Sequence, residues 1–236
     1  MLTADFARLP MRPGAVILDA GCGTGRHACE AYRWNGVGVV AVDMNLDDLR
    51  KATYTLYSMD DDGAGKGSFW GTSVADITAL PFEDDFFDVV LCSEVLEHIP
   101  DNRGAIRELV RVLKPGKDMV VTVPRYFPEK ICWLLSEEYH NEPGGHIRIY
   151  KRKELLALLE EAGLVYCHRE YRHALHSPYW WLKCLVGHRR DDSRVVNSYR
   201  RFLEWDIVKR PPLTKTVDKL LNPLISKSVV YYLKKN

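Results

Sequence analysis

One stretch of the chain, Val16–His27 (V-I-L-D-A-G-C-G-T-G-R-H), limits what it can fold into more than any other. Ala15 to Ala20 is an apolar run of strand length interrupted by a single acid, Asp19. It ends in glycines at alternate positions, Gly21, Gly23 and Gly25, and runs on into Arg26 to Trp34, which reads as a helix stopped by Asn35-Gly36. Strand, glycine turn and helix in that order open a nucleotide-type site at the carboxyl edge of an α/β sheet. The glycines permit positive φ and let the backbone approach a ligand closely. The dinucleotide fingerprint G-x-G-x-x-G/A fails from Gly21, where Arg26 takes the last small position, and fits weakly from Gly23 through Gly25 and Ala28. Asp19, two places before the first glycine, sets a carboxylate near a cationic group rather than a pyrophosphate.

The remainder repeats the alternation. Val37 to Val42 reads as a second strand ending at Asp43, and Asn45 caps a helix with Leu46, Leu49, Thr53 and Leu56 on one face. Ser68 to Val74 is a third strand with Asp76 just beyond it. Phe87 to Cys92 is continuously apolar, as a strand buried on both faces should be. Asp101 caps a helix that Lys114-Pro115-Gly116 ends, and Met119 to Val123 is the fifth strand. Lys151 to Ala162 is a helix closed by Gly163. Leu164 to His168 and Ser228 to Leu233 are the last two strands. Such alternation predicts a mostly parallel sheet with helices on both faces. Two segments do not fit it, Pro124–Tyr150 and Tyr171–Lys227. The second is too long for a loop and holds Tyr179, Trp180, Trp181, Phe202 and Trp205, so it should be a helical insertion before the last strand.

Length bounds the answer to one sizeable α/β domain over residues 1–236: a core at 13–170, the insertion at 171–227 and the last strand at 228–236. The six cysteines form no C-x-x-C pair and have no ligand-like spacing with histidine, so a reduced cytoplasmic setting is expected and no metal site. No signal-like or membrane-spanning run is seen. The net charge of +1 hides an asymmetry: residues 171–236 carry 14 Lys and Arg against 5 Asp and Glu, leaving an acidic body. That asymmetry suits an anionic partner, or a basic face that is simply packed or solvated.

The stretch around Asp19 and its glycines resembles motif I of the class I S-adenosylmethionine (SAM)-dependent methyltransferases. Leu80 to Pro100 (L-P-F-E-D-D-F-F-D-V-V-L-C-S-E-V-L-E-H-I-P) is similar to the signature of the family that includes ubiquinone/menaquinone-type and many small-molecule methyltransferases. Leu113 to Pro124 resembles that family's entry into strand five. The resemblance implies a Rossmann-like seven-stranded sheet in the order 3-2-1-4-5-7-6, with strand seven antiparallel. It implies SAM as cofactor, held by Asp19, Gly21, Cys22, Gly23, Gly25, Asp43, Met44, Asp76, Ile77 and Ser93. Asp43 would take the ribose hydroxyls and Asp76 the adenine amino group. The same acid at Asp43 would serve NAD, and the plainer role for Asp76 is a helix cap or turn.

Methyl transfer from a sulfonium is an in-line displacement, so alignment and exclusion of water are the protein's main tasks. Where the acceptor must lose a proton, His146 in G-G-H-I-R-I-Y and His98 are the candidate bases. The departure from the family's short connection before strand seven suggests that Pro124–Tyr150 and Tyr171–Lys227 form a lid and acceptor pocket. His173 to Gly187, with paired tryptophans among basic residues, suits a membrane interface, an apolar pocket or a helix packed on the domain. The reading is therefore a methyltransferase for a small, hydrophobic acceptor, lipid-like in one version, with peripheral contact to an anionic membrane and no nucleic acid. RNA or protein methylation through the basic segment and a non-catalytic SAM-binding scaffold stand as alternatives.

Overall fold

A computed structural model describes residues 2–236. Seven strands form one sheet: β1 (Val16–Ala20), β2 (Gly38–Asp43), β3 (Phe69–Val74), β4 (Phe87–Ser93), β5 (Leu113–Pro124), β6 (Leu164–Arg172) and β7 (Ser228–Lys235). Their order is β3-β2-β1-β4-β5-β7-β6, with β7 antiparallel to both neighbours and all other pairings parallel. The expected order and the reversed last strand are both present.

Nine α-helices accompany the sheet among the described residues: α1 (Arg26–Tyr32), α2 (Leu46–Asp61), α3 (Asn102–Val112), α4 (Tyr126–Leu135), α5 (Glu137–His140), α6 (Arg152–Glu161), α7 (His176–Val186), α8 (Arg194–Lys209) and α9 (Pro212–Ile225). Adjacent strand residues face opposite sides, and each side has its own core. Leu18, Val90 and Val121 pack with Ile106 and Leu109 of α3 and Leu155 of α6. Ile17, Val39, Val89 and Val120 pack with Ala28 of α1 and Leu49 and Leu56 of α2. The predicted caps form: the Asn45 side chain accepts from the Asp47 and Asp48 N–H, and that of Asp101 from the Gly104 N–H. They satisfy first-turn donors that have no partner within the helix.

One expectation is corrected. Lys114-Pro115-Gly116 does not separate α3 from β5; the strand begins at Leu113, opposite Phe87, and the register shifts before Asp118 meets Val89, so the tripeptide lies in an irregularity of the ladder. Trp180 and Trp181 of α7 are half-buried against the domain, which is the packed-helix reading among those offered for His173 to Gly187. The Trp181 Nε1–H donates to the Pro128 carbonyl at 3.0 Å, and the Trp180 ring lies against Tyr139 and under the Lys227 ammonium.

Candidate functional site

The carboxyl ends of β1, β2 and β4 and the turns after them enclose a cavity of about 320 Å³. The glycine turn forms its floor. Gly21 holds a φ of +72°, and a β-carbon there would lie 2.4 Å from Val95 Cγ2, so only glycine fits beside the loop after β4. Gly25 holds a φ of +81° as the residue before α1, and a β-carbon would meet Ala52 at 2.7 Å. Between them the Gly23 N–H donates to Asp43 Oδ2 at 2.7 Å, while the Asn45 N–H donates to Asp43 Oδ1 at 2.8 Å. Each oxygen thus takes one backbone bond and keeps a lone pair for a ligand hydroxyl.

Gly21, Cys22, Gly23, Asp43, Met44, Ile77 and Ser93 all line this cavity, as does His98. The Cys22 thiol is pushed up by burial, which keeps it protonated. Ser93 shares a 2.8 Å hydrogen bond with Thr122. Three other residues take different places. Asp19 is 1% exposed and lies beneath the turn, where it accepts from the Ala28 N–H at 2.9 Å. Burial raises its carboxyl to about 7, against the lowering effect of that bond and of Arg26. It acts on the turn and on the start of α1, and it has no free surface for a ligand. Gly25 supports the same junction without lining the cavity. Asp76 is exposed, and its Oδ1 accepts from both the N–H and the hydroxyl of Thr78 at 2.8 Å. It forms a turn, while its neighbours Ala75 and Ile77 supply the apolar wall.

His98 lies on the loop after β4, and two elements hold that loop. Arg148 donates to the carbonyls of Leu96, Ile99 and Pro100, and the Tyr150 hydroxyl donates to Leu96 O at 3.1 Å. The Ile147 N–H reaches Glu97 O at 3.1 Å. The G-G-H-I-R-I-Y stretch is therefore the clamp on L-E-H-I-P, and Tyr150 is part of that clamp. His146 is outside the cavity, one ring behind His98 at a centroid distance of 4.9 Å. Burial lowers the His98 pKa, and His146 lowers it further.

Next to the histidines is a buried polar cluster centred on Glu129 and Lys227, two residues that the sequence did not single out. Glu129 of α4 is 0% exposed and accepts from the Tyr139 hydroxyl at 2.8 Å, from His146 Nδ1 at 2.7 Å and from the Lys227 ammonium. Burial works against ionisation of Glu129, but those partners outweigh it and hold the carboxyl at about 2. Glu94 accepts from the Thr122 hydroxyl at 3.2 Å. Burial raises both Glu94 and Glu97, and Glu94 pushes Glu97 higher. A lone acid in a mostly apolar helix, Y-F-P-E-K-I-C-W-L-L, was the one available signal. No residue of α4 to α9 lines the cavity; α4, α5 and the loop that carries His146 meet at Glu129, next to His98.

A nucleotide-type turn, an acid fixed at the end of β2 and a reversed seventh strand define the class I methyltransferase fold. The family described as "Methyltransferase domain" matches residues 2–169, and the chain belongs to it. The chain is 32% identical over 157 residues to 27-O-demethylrifamycin SV methyltransferase of Amycolatopsis mediterranei, covering 66% of this chain and 56% of that protein. It is 29% identical over 206 residues to sterol 24-C-methyltransferase of Pneumocystis carinii, covering 82% and 50%. It thus spans about half the length of the curated relatives it matches. Among solved structures, the [4+2]-cyclase SpnF superposes with a TM-score of 0.61 at 21% identity, covering 98% of this chain and 78% of that one. That likeness is one of fold, and fold alone does not define a reaction.

Proposed function

We propose that this chain transfers a methyl group from SAM to a small, hydrophobic acceptor that reaches it from a membrane surface in the cytoplasm. The observation that carries the reading is the Asp43 carboxylate, fixed by the Gly23 and Asn45 N–H groups at the edge of a cavity walled by Met44, Ile77, Val95 and Ile99. A carboxylate with two free lone pairs suits the paired hydroxyls of a ribose, and the wall suits an adenine. SAM supplies an activated methyl group when bound. The chain's own task is to orient the acceptor and keep water out, and orientation can account for about 7–11 kcal/mol of barrier lowering. His98 is the imidazole placed to touch the acceptor, and His146 and Glu129 position it.

The hydrophobic acceptor is supported by relatives named for a rifamycin and for sterols. Membrane contact is supported by α9, where Leu213, Val217, Leu220 and Leu224 recur at helical spacing and are exposed, with Lys215 and Lys219 beside them. Trp205 and Val208 of α8 are exposed too, next to Lys209 and Arg210. An apolar stripe flanked by cations is the pattern of a helix lying in an anionic lipid interface. No helix among the described residues is long and apolar enough to cross a membrane. Six free cysteines suit a reducing compartment.

The test is incubation with methyl-labelled SAM and a lipophilic extract presented in anionic vesicles. Label should appear in the organic phase, and the triple variant Leu213→Ser, Leu220→Ser, Leu224→Ser should lose vesicle flotation while still binding SAM. Label confined to protein or RNA would replace the acceptor proposed here. Equal flotation of the variant would remove the membrane contact.

A further inference from the structure

Glu97 is fully buried, and neither of its carboxylate oxygens has a hydrogen-bond partner. An unpartnered buried carboxylate is expensive and rare, and this one does not stand alone. Donor atoms of Glu97, His98 and His146 lie within 4.8 Å of one another.

The ring nitrogens of the two histidines are already sorted. His98 Nδ1 lies 3.0 Å from the Gly145 carbonyl, which can only accept, so Nδ1 carries the proton. His146 Nδ1 lies 2.7 Å from Glu129 Oε1, and a carboxylate likewise takes that proton's bond. Nε2 of each ring is left as the lone-pair nitrogen. A second partner that fixes the tautomer, one a carboxylate and the other a backbone carbonyl, is the usual support of a metal-binding histidine.

We propose that Glu97, His98 and His146 form a divalent-cation site at the inner edge of the cavity, taking a cation of the zinc, cobalt or manganese class. Two imidazoles and one carboxylate suit such ions better than magnesium, which prefers oxygen ligands. Zinc bonds to nitrogen and oxygen are about 2.0–2.2 Å, so a small rotation of the three side chains brings the donors to bonding distance. Three protein ligands leave coordination positions open, and on the side where His98 lines the cavity those positions suit an oxygen of the acceptor. The cation site stands on its own residues; only the identification of that oxygen ligand as the methyl acceptor rests on the methyltransferase reading. The site reverses the expectation, drawn from cysteine and histidine spacing, that the chain holds no metal. The ligands are two adjacent residues and one almost fifty positions on, a spacing that no short motif records.

The test is titration of the metal-stripped full chain with cobalt(II), followed by visible absorption, and with zinc(II), followed by calorimetry. One equivalent should bind, with ligand-field bands from cobalt. Glu97→Gln and His146→Ala should each weaken binding at least tenfold, with far-ultraviolet dichroism retained, and His168→Ala, remote from the cluster, should leave it unchanged. Should His146→Ala fail to fold, Glu97→Gln, which keeps the side chain's shape, decides alone. No binding by the wild-type chain, or equal binding by wild type and Glu97→Gln, would overturn the site. Titration of the same metal-free samples with SAM distinguishes failure of the cation site from failure of the methyltransferase reading.

Discussion

Replacing Lys227 with Met should destabilise the whole upper half of the molecule. Lys227 precedes β7, and its ammonium bonds to Glu129 of α4, which also receives Tyr139 of α5 and His146 from the loop before α6. One carboxylate therefore joins four segments that are distant in sequence. Glu129 is 0% exposed, so water cannot take the place of a lost ammonium. Breaking a buried pair by removing one member destabilises by about 3–5 kcal/mol, because the remaining charge is left uncompensated. Two donors remain on Glu129 here, which places the expected loss at the lower end, about 3 kcal/mol. At about 2–4 °C per kcal/mol for a chain of this size, the midpoint should fall by roughly 6–12 °C. Urea denaturation and calorimetry measure both quantities. The double variant Glu129→Gln, Lys227→Met should recover at least half of the loss, since an amide leaves no unpaired charge. A single-variant loss of about 1 kcal/mol or less, the value for an exposed pair, would refute the reasoning. So would a double variant less stable than the single one.

Asp43→Ala should weaken SAM binding by more than about 100-fold, because two charge-assisted hydrogen bonds at about 1.5–3 kcal/mol each would be lost; near-wild-type affinity measured by equilibrium dialysis would show that Asp43 does not hold the ribose. Gly21→Ala forces a β-carbon to within 2.4 Å of Val95 at a φ of +72°, so thermal unfolding should show a loss above about 1–2 kcal/mol, and Val95→Ala should restore part of it. Asp88 accepts from Lys114, Lys117 and the Val16 N–H; burial opposes ionisation, but these partners prevail and hold the carboxyl at about 2. Its folded value is below the unfolded one, so it stabilises above pH 4 and loses that contribution as pH falls toward 2; screening by solvent limits the effect to about 1–2 kcal/mol. Asp88→Asn should flatten the acid limb of a stability–pH profile by that amount, and an unchanged limb would contradict the assignment.

Features written in neighbouring residues were legible from the sequence. The glycine turn, the acid after β2, the caps Asn45 and Asp101 and the closing Gly163 each depend on local backbone geometry, and each stands where it was expected. The insertion's helices were legible from length and aromatic content. What sequence could not show is convergence. Glu129, His146 and Lys227 are separated by up to 98 positions and meet only because β7 enters the sheet between β5 and β6. Asp76 is ambiguous for a related reason: an acid after a strand can point to a ligand or serve its own turn, and here Oδ1 takes the N–H and hydroxyl of Thr78. Trp180 and Trp181 have the composition of an interface helix but pack on α4 and Tyr139, while the exposed apolar stripe is on α9, which carries no aromatic residue.

The reading of the cavity is settled by calorimetric titration of the full chain with SAM, with its demethylated product S-adenosylhomocysteine and with NAD. The geometry of Asp43 and the glycine turn predicts one site that takes SAM and the product and gives no heat with NAD. Binding of NAD with neither of the others would contradict it and return the chain to the dinucleotide enzymes.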